Sequence, residues 1–124
     1  MKAKSRTLTE VELEIMQVIW DLERGTVRDV FEVLRERKQI AYTTVMTMMK
    51  ILEDKGHLSR KKEGRAYLYE PVRSRGQMQS SMVDDFVSRV FEGSARPLVL
   101  SLIKDRKISR KDLEEISRMI EESE

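Results

Sequence analysis

Apolar residues recur along this chain at a helical period for about fifty residues, then alternate, then return to the helical period. Thr9-Glu10-Val11-Glu12 has the form of a capping box, with Thr9 as N-cap and Glu12 reaching back. Val11, Ile15, Val18, Ile19 and Leu22 follow at helical spacing, and Gly25 is placed to end that first helix. Trp20 falls late in it and is expected in or near the core. Thr26-Val27-Arg28-Asp29 opens a second helix in the same way, with Val27, Val30, Phe31 and Leu34 on its apolar face. A third is predicted over 42–55. Val45, Met48, Met49 and Leu52 lie at i, i+3, i+4 and i+7, and Gly56 stands at the C′ position.

Residues 57–70 break this period. Leu58, a basic run, Glu63-Gly64 and then Ala66-Tyr67-Leu68-Tyr69 predict two short strands around a Glu-Gly turn, closed by Pro71. Residues 72–77 read as a hinge. A helix is predicted over 77–92, carrying Met78, Met82, Val83, Phe86, Val87, Val90 and Phe91. At 100° per residue these positions span about 220°, wider than a single stripe, so contacts on two sides are expected. Gly93 stops that helix. Pro97 suits the first turn of another, with Leu98, Val99, Leu102 and Ile103. Ser109-Arg110-Lys111-Asp112 opens a last one, with Leu113, Ile116, Met119 and Ile120 along one side.

The expected fold is therefore mainly α with a small β-hairpin. It is a winged helix-turn-helix at 1–72 for binding DNA, followed by a helical dimerisation domain at 73–124. Three helices and a hairpin are the order in which the third helix enters a major groove. Its face away from the core carries Thr43, Thr47, Lys50 and Asp54, with Met46 and Ile51 flanking and Thr44 at the core edge. Threonine suits phosphates, base edges and thymine methyls, and lysine suits phosphate or guanine. Threonine is a poor helix former, so a solvated helix face seldom uses it. Tyr42 adds to a helix N-terminus rich in hydroxyls, where free N–H groups meet phosphate. Arg60, Lys61, Lys62 and Arg65 surround the wing tip. They suit the phosphate backbone, although lysines on an edge strand also guard against aggregation.

Composition removes most other chemistry. The 124 residues contain no cysteine and one histidine. Disulfides, thiolate metal sites and cysteine nucleophiles are thereby excluded, and no metal or other cofactor is expected. His57 reads as a surface or strand-start residue. Asp84 and Asp85 diverge by 100° on a helix and read as solvated. Met46, Met48 and Met49 read as packing. No apolar run approaches a membrane span and no apolar segment follows the basic start at 1–7, so no membrane insertion and no secretory leader are expected. The chain is expected in the cytoplasm. Residues 1–73 carry 15 Lys+Arg against 12 Asp+Glu, and residues 74–124 carry 9 against 10, so the positive balance lies in the first part.

Leu8-Thr9-Glu10…Leu13…Ile15-Met16…Trp20, Thr26-Val27-Arg28-Asp29-Val30, Ala41-Tyr42-Thr43-Thr44-Val45-Met46-Thr47…Leu52…Lys55-Gly56 and Gly64-Arg65-Ala66-Tyr67-Leu68-Tyr69-Glu70-Pro71 resemble the BlaI/MecI/CopY family of penicillinase-type repressors. The resemblance is strong over 7–72 and looser over 73–124. It implies a homodimeric repressor on double-stranded operator DNA with dyad symmetry, and a C-terminal helical dimerisation domain. In some members a membrane-bound sensor metalloprotease triggers cleavage in that domain. The family's cleavable Asn-Phe pair would fall near Ser101-Leu102. The copper branch senses metal through cysteine pairs, which this chain lacks. Ala41 stands where members often have a serine cap, so the cap of the third helix is expected to be weak or shifted.

A winged-helix module that binds protein instead of DNA is the rival reading. It would expose an apolar patch on the third helix, and Thr43, Thr47, Lys50 and Asp54 do not form one. An enzyme is more distant still, for want of histidine, cysteine or a glycine-rich phosphate loop.

Overall fold

The computed structural model describes residues 8–124, so the basic start at 1–7 lies outside the described residues. The element order is α1 (Glu10–Leu22), α2 (Val27–Leu34), α3 (Tyr42–Asp54), β1 (Leu58–Glu63), β2 (Ala66–Pro71), α4 (Arg75–Val90), α5 (Arg96–Lys104) and α6 (Arg110–Ser123). Two compact units result, one as far as Met82 and one over Val83–Glu124.

In the first unit α1 and α2 start where their caps place them, and α3 starts at Tyr42 as its apolar spacing predicts. The amide of Glu12 donates to Thr9 Oγ1 at 3.2 Å, and the amide of Thr9 donates to Glu12 Oε1 at 2.9 Å. Thr26 and Asp29 repeat that exchange for α2. The helices bury Ile15, Met16, Val18 and Ile19 against Val30 and Leu34, and against Val45, Met49 and Leu52. Met48 and Trp20 pack at the margin of this core.

Glu12 is 1% exposed, and its second oxygen, Oε2, accepts from Lys55 Nζ at 2.6 Å. This pair joins the first turn of α1 to the C-terminal end of α3. Both charges sit at the helix ends whose dipoles favour them. Burial alone pushes the Glu12 carboxyl up, but the Lys55 ammonium and the Thr9 hydrogen bonds outweigh it and hold the pKa below its ordinary value.

β1 and β2 pair antiparallel from Leu58↔Pro71 to Glu63↔Ala66, and Gly64 takes the left-handed turn with φ 64°. Leu58 and Tyr69 join the helical core. His57, read from sequence as a surface or strand-start residue, is buried just before β1, where its carbonyl accepts the amide of Val72.

Gly25 does not close α1. That helix stops at Leu22, and Glu23 takes the turn with φ 71°. Gly25 instead exchanges both backbone hydrogen bonds with Tyr69, at 3.0 and 2.9 Å, and so clamps the hairpin to the α1–α2 corner.

The expected hinge at 72–77 is a capped and tethered corner. Ser74 and Gln77 form reciprocal bonds of 2.9 and 3.1 Å, and α4 starts at Arg75 instead of residue 77. The Arg75 guanidinium reaches Asp21 at 2.6 Å and the Gln17 carbonyl at 3.2 Å, and the Trp20 indole donates to the Arg73 carbonyl at 3.0 Å. These long-range bonds explain why the first unit runs ten residues beyond the boundary expected at 72. Met78, expected on a dimer face, belongs to this unit and is 2% exposed, so the single chain already covers it.

In the second unit α4 ends at Val90, two residues earlier than expected, with Glu92 and Gly93 both at positive φ. Phe86 and Phe91 meet edge to face at 5.7 Å. Pro97 lies in the first turn of α5, and Ser109 and Asp112 cap α6 reciprocally. No residue of α5 or α6 is buried. The run 98–103 is helical as expected but is not largely buried, because one copy of this unit has too few packing partners to cover it. Among the described residues no helix is long and apolar enough to cross a membrane.

The Glu12–Lys55 pair sets a pH dependence. The folded-state pKa lies below the ordinary glutamate value of 4.5, so its contribution is complete above that value and is lost as pH falls through the lowered one. Glu12→Gln keeps the shape and loses the charge. It is expected to cost about 1.5–3 kcal/mol at pH 7 and to flatten the fall in stability below pH 4.5. Urea midpoints from pH 3 to 7 for both proteins check this; parallel curves would refute it.

Candidate nucleic-acid interface

Helix α3 turns one side to the core and leaves the other bare. Thr43, Thr47 and Lys50 are exposed, and Tyr42 and Met46 keep 38% and 46% of their surface. Ile51 is half-buried beside them. Thr44 is exposed as well, so it joins the bare side and not the core edge. Ala41 is the N-cap and makes no side-chain capping bond. Only its carbonyl is used, accepting the amides of Thr44 and Val45. The first amides of α3 therefore keep the outward N–H groups that suit an anion.

The cations on this side are in different states. Lys50 Nζ lies 3.4 Å from Asp54 and 3.6 Å from Glu53, both exposed or partly exposed pairs worth at most about 1 kcal/mol each. The other oxygen of Glu53 takes Arg60 Nε at 3.1 Å. The Arg60 guanidinium also lies 4.1 Å from the Tyr67 ring centroid. Its hydrogen bond with Tyr69 and the charge of Glu53 hold it above its ordinary pKa despite some desolvation. Sequence placed Arg60 among the wing-tip cations. The structure makes it a strut from the hairpin to the C-terminal part of α3. Lys61 pairs with Glu70 at 3.6 Å. Lys62 and Arg65, at the tip, are exposed and have no ion-pair partner among the described residues.

A groove of about 450 Å³ lies between the starts of α2 and α3 and the hairpin. Arg28, Tyr42, Met46, Arg60, Arg65 and Tyr67 are among its lining residues. Sequence reasoning missed Glu53 and Arg28. Glu53 was legible only as a residue three positions after Lys50, and Arg28 only as a capping-box interior residue.

The residues expected at a dimer face fall into two groups. Val83, Phe86, Val90, Leu113, Ile116 and Ile120 are exposed, whereas Met82, Val87, Phe91, Leu98 and Leu102 are half-buried. Val99, Ile103 and Met119, on the same predicted stripes, are exposed as well, and so is Leu100, which those stripes do not include. Ser101 is exposed and Leu102 half-buried within the regular turns of α5.

A model of the penicillinase repressor family matches residues 8–122. The penicillinase repressor of Bacillus licheniformis is 27% identical over 115 residues, 93% of this chain and 90% of that protein. The transcriptional regulator BlaI of Mycobacterium tuberculosis is 32% identical over 99 residues, 79% and 72% of the two chains. The methicillin resistance regulatory protein MecI of Staphylococcus aureus is 22% identical over 97% of this chain and 98% of its own. Among solved structures, the DNA-binding domain of the repressor BlaI aligns with a TM-score of 0.53 at 32% identity, covering 60% of this chain and 90% of that one. The Bacillus licheniformis BlaI monomer in complex with the blaP half-operator aligns with a TM-score of 0.51 at 32% identity, covering 61% and 92%. With the winged-helix unit matched in structure and the family pattern running through α6, the chain belongs to the penicillinase repressor family, whose members are transcriptional repressors and not enzymes.

Proposed function

We propose that this repressor acts as a homodimer that sets one winged helix on each half of a two-fold DNA site and blocks promoter access. The single observation that carries the reading is α3, which buries Val45, Met49 and Leu52 while it bares Thr43, Thr47 and Lys50 beside a basic hairpin. A helix so divided is pinned from behind and can present side chains to base edges. The solved BlaI monomer on a half-operator supports one winged helix per half-site. In this reading Tyr42, Thr43, Thr44, Met46, Thr47 and Lys50 meet the major groove, and Lys61, Lys62 and Arg65 meet phosphates. Arg60 holds the wing at its working angle.

The dimer rests on the second unit. Val83, Phe86 and Val90 on α4, Val99 and Ile103 on α5, and Ile116 and Ile120 on α6 stand exposed in one copy. That is seven large apolar side chains exposed on three successive helices, and patches formed by such residues mark interaction surfaces. A two-fold pairing of the same surface would cover it. Joining two weak half-site contacts raises the effective concentration of the second. A sensor metalloprotease as a further partner is an inference from the family alone. Its cut near Ser101-Leu102 would require α5 to unwind first, since a protease needs an extended backbone.

Contact classes can be separated with a duplex selected by the wild-type protein from a random pool. Lys61→Ala and Arg65→Ala are expected to weaken binding to all sequences alike and each to lower the salt slope by about one per half-site, about two on a two-fold site. Thr47→Ala and Lys50→Ala are expected to re-rank base-substituted duplexes by about 1–3 kcal/mol. Arg60→Ala is expected to do some of both and to speed amide exchange in β1 and β2 roughly tenfold. Identical behaviour of helix and wing variants would overturn the assignment of surfaces.

Sedimentation of the full chain at micromolar concentration is expected to show a dimer. Phe86→Asp and Ile116→Asp alter exposed positions, so each monomer should still fold. Each is expected to weaken the dimer by at least about 2 kcal/mol and to reduce binding to a two-fold site far more than to a half-site. A wild-type monomer in this measurement would refute the dimer.

A further inference from the structure

The groove beside the recognition helix carries a charge that its own surroundings do not balance. Arg28, Arg60 and Arg65 all line it, and among the described residues no carboxylate does. Glu53 compensates Arg60 at 3.1 Å. Arg28 has only an exposed 3.4 Å pair with Glu32, and Arg65 has no ion-pair partner among the described residues. The Arg28 guanidinium lies 5.2 Å from the centroid of the Tyr42 ring, which Phe31 braces edge-on at 5.5 Å. Stacking on a ring restricts a guanidinium and leaves its N–H edge free for an oxyanion. Thr26 also lines the groove. Its hydroxyl is committed to the Asp29 amide, so the α2 N-terminus adds only its dipole. Tyr42 and Met46 belong to the same first turns of α3 as Thr43 and Thr47. A DNA backbone that follows the recognition helix would therefore pass this groove.

We propose that the groove seats one phosphodiester of the bound DNA, held between Arg28 and Arg65, with its flanking sugar against Tyr42 and Met46. The proposal rests on the DNA-binding reading above and extends the interface to α2, outside both the recognition helix and the wing. Arg28 fixes the position of the backbone and reads no base, because its partner is a phosphate present in every sequence.

The test uses the full chain, the duplex selected by the wild-type protein, and copies of that duplex in which single phosphates are replaced by neutral methylphosphonates. The Arg28 side chain is 66% exposed, so Arg28→Ala should melt like the wild type. It is expected to bind about tenfold more weakly and to lower the salt slope by about one per half-site, about two on the two-fold duplex, while the ranking of base-substituted duplexes stays unchanged. Arg28→Lys keeps the charge and loses the fork, so it is expected to fall between the two. One methylphosphonate position per half-site is expected to weaken the wild type most, to weaken Arg28→Ala and Arg65→Ala less, and to leave the Arg28→Ala/Arg65→Ala double variant indifferent. Wild-type affinity in Arg28→Ala, or an Arg28→Ala protein as sensitive as the wild type at every position, would overturn the groove alone. A wild-type chain that selects no duplex would overturn the DNA-binding reading and the groove together.

Discussion

Helix α3 has to serve two surfaces with thirteen residues, and the rest of the first unit is arranged around that constraint. At 100° per residue, Val45, Met49 and Leu52 fall on one side and Thr43, Thr47 and Lys50 on another. A rotation of one residue step would bury threonines and expose leucine. The buried Glu12–Lys55 pair resists this rotation at the C-terminal end of α3. The Phe31–Tyr42 ring contact resists it at the N-terminal end. The direction of the bare side is thus a consequence of packing, and the chemistry on that side inherits a fixed geometry.

The second feature is how loosely most cations on the bare side are held. Lys50, Lys61 and Arg28 each have a carboxylate within 3.4–3.6 Å, and all three are well exposed. Such pairs cost little to break, so exchanging a carboxylate for a phosphate is cheap. They also keep the net charge of the whole chain at +2, which limits non-specific attraction to polyanions. Arg60 is the exception. Its ion pair with Glu53 and its contact with the Tyr67 ring make it part of the scaffold.

The second unit follows a different logic. Its last helix is capped reciprocally by Ser109 and Asp112, whereas the α5 N-cap, Ala95, makes no side-chain bond, and neither α5 nor α6 has a fully buried residue. Helical stability of short segments comes mostly from packing of an apolar face. The apolar stripes of α5 and α6 are therefore the part of the fold that one copy leaves least packed.

Element identity was legible in the sequence because it depends on local, periodic chemistry. Reciprocal caps at Thr9, Thr26 and Ser109 located the starts of α1, α2 and α6, and apolar spacing and Pro97 located α3 and α5. The Glu63-Gly64 turn located the hairpin. The threonine side of α3 and the wing-tip cations were legible for the same reason, since a helix and a hairpin imply which residues share a side. Contacts between residues far apart in the chain were not. The change of Gly25 from helix stop to partner of Tyr69 needed the hairpin to fold back across more than forty residues. The tether of Arg75 to Asp21 turned an apparent hinge into a corner, and only the packing of α4 covered Met78. Arg60 became a strut because Glu53 and Tyr67 reach it from two other elements. Periodicity along the chain determines which side chains share a surface; only the folded chain decides which charges on that surface are already spent on each other.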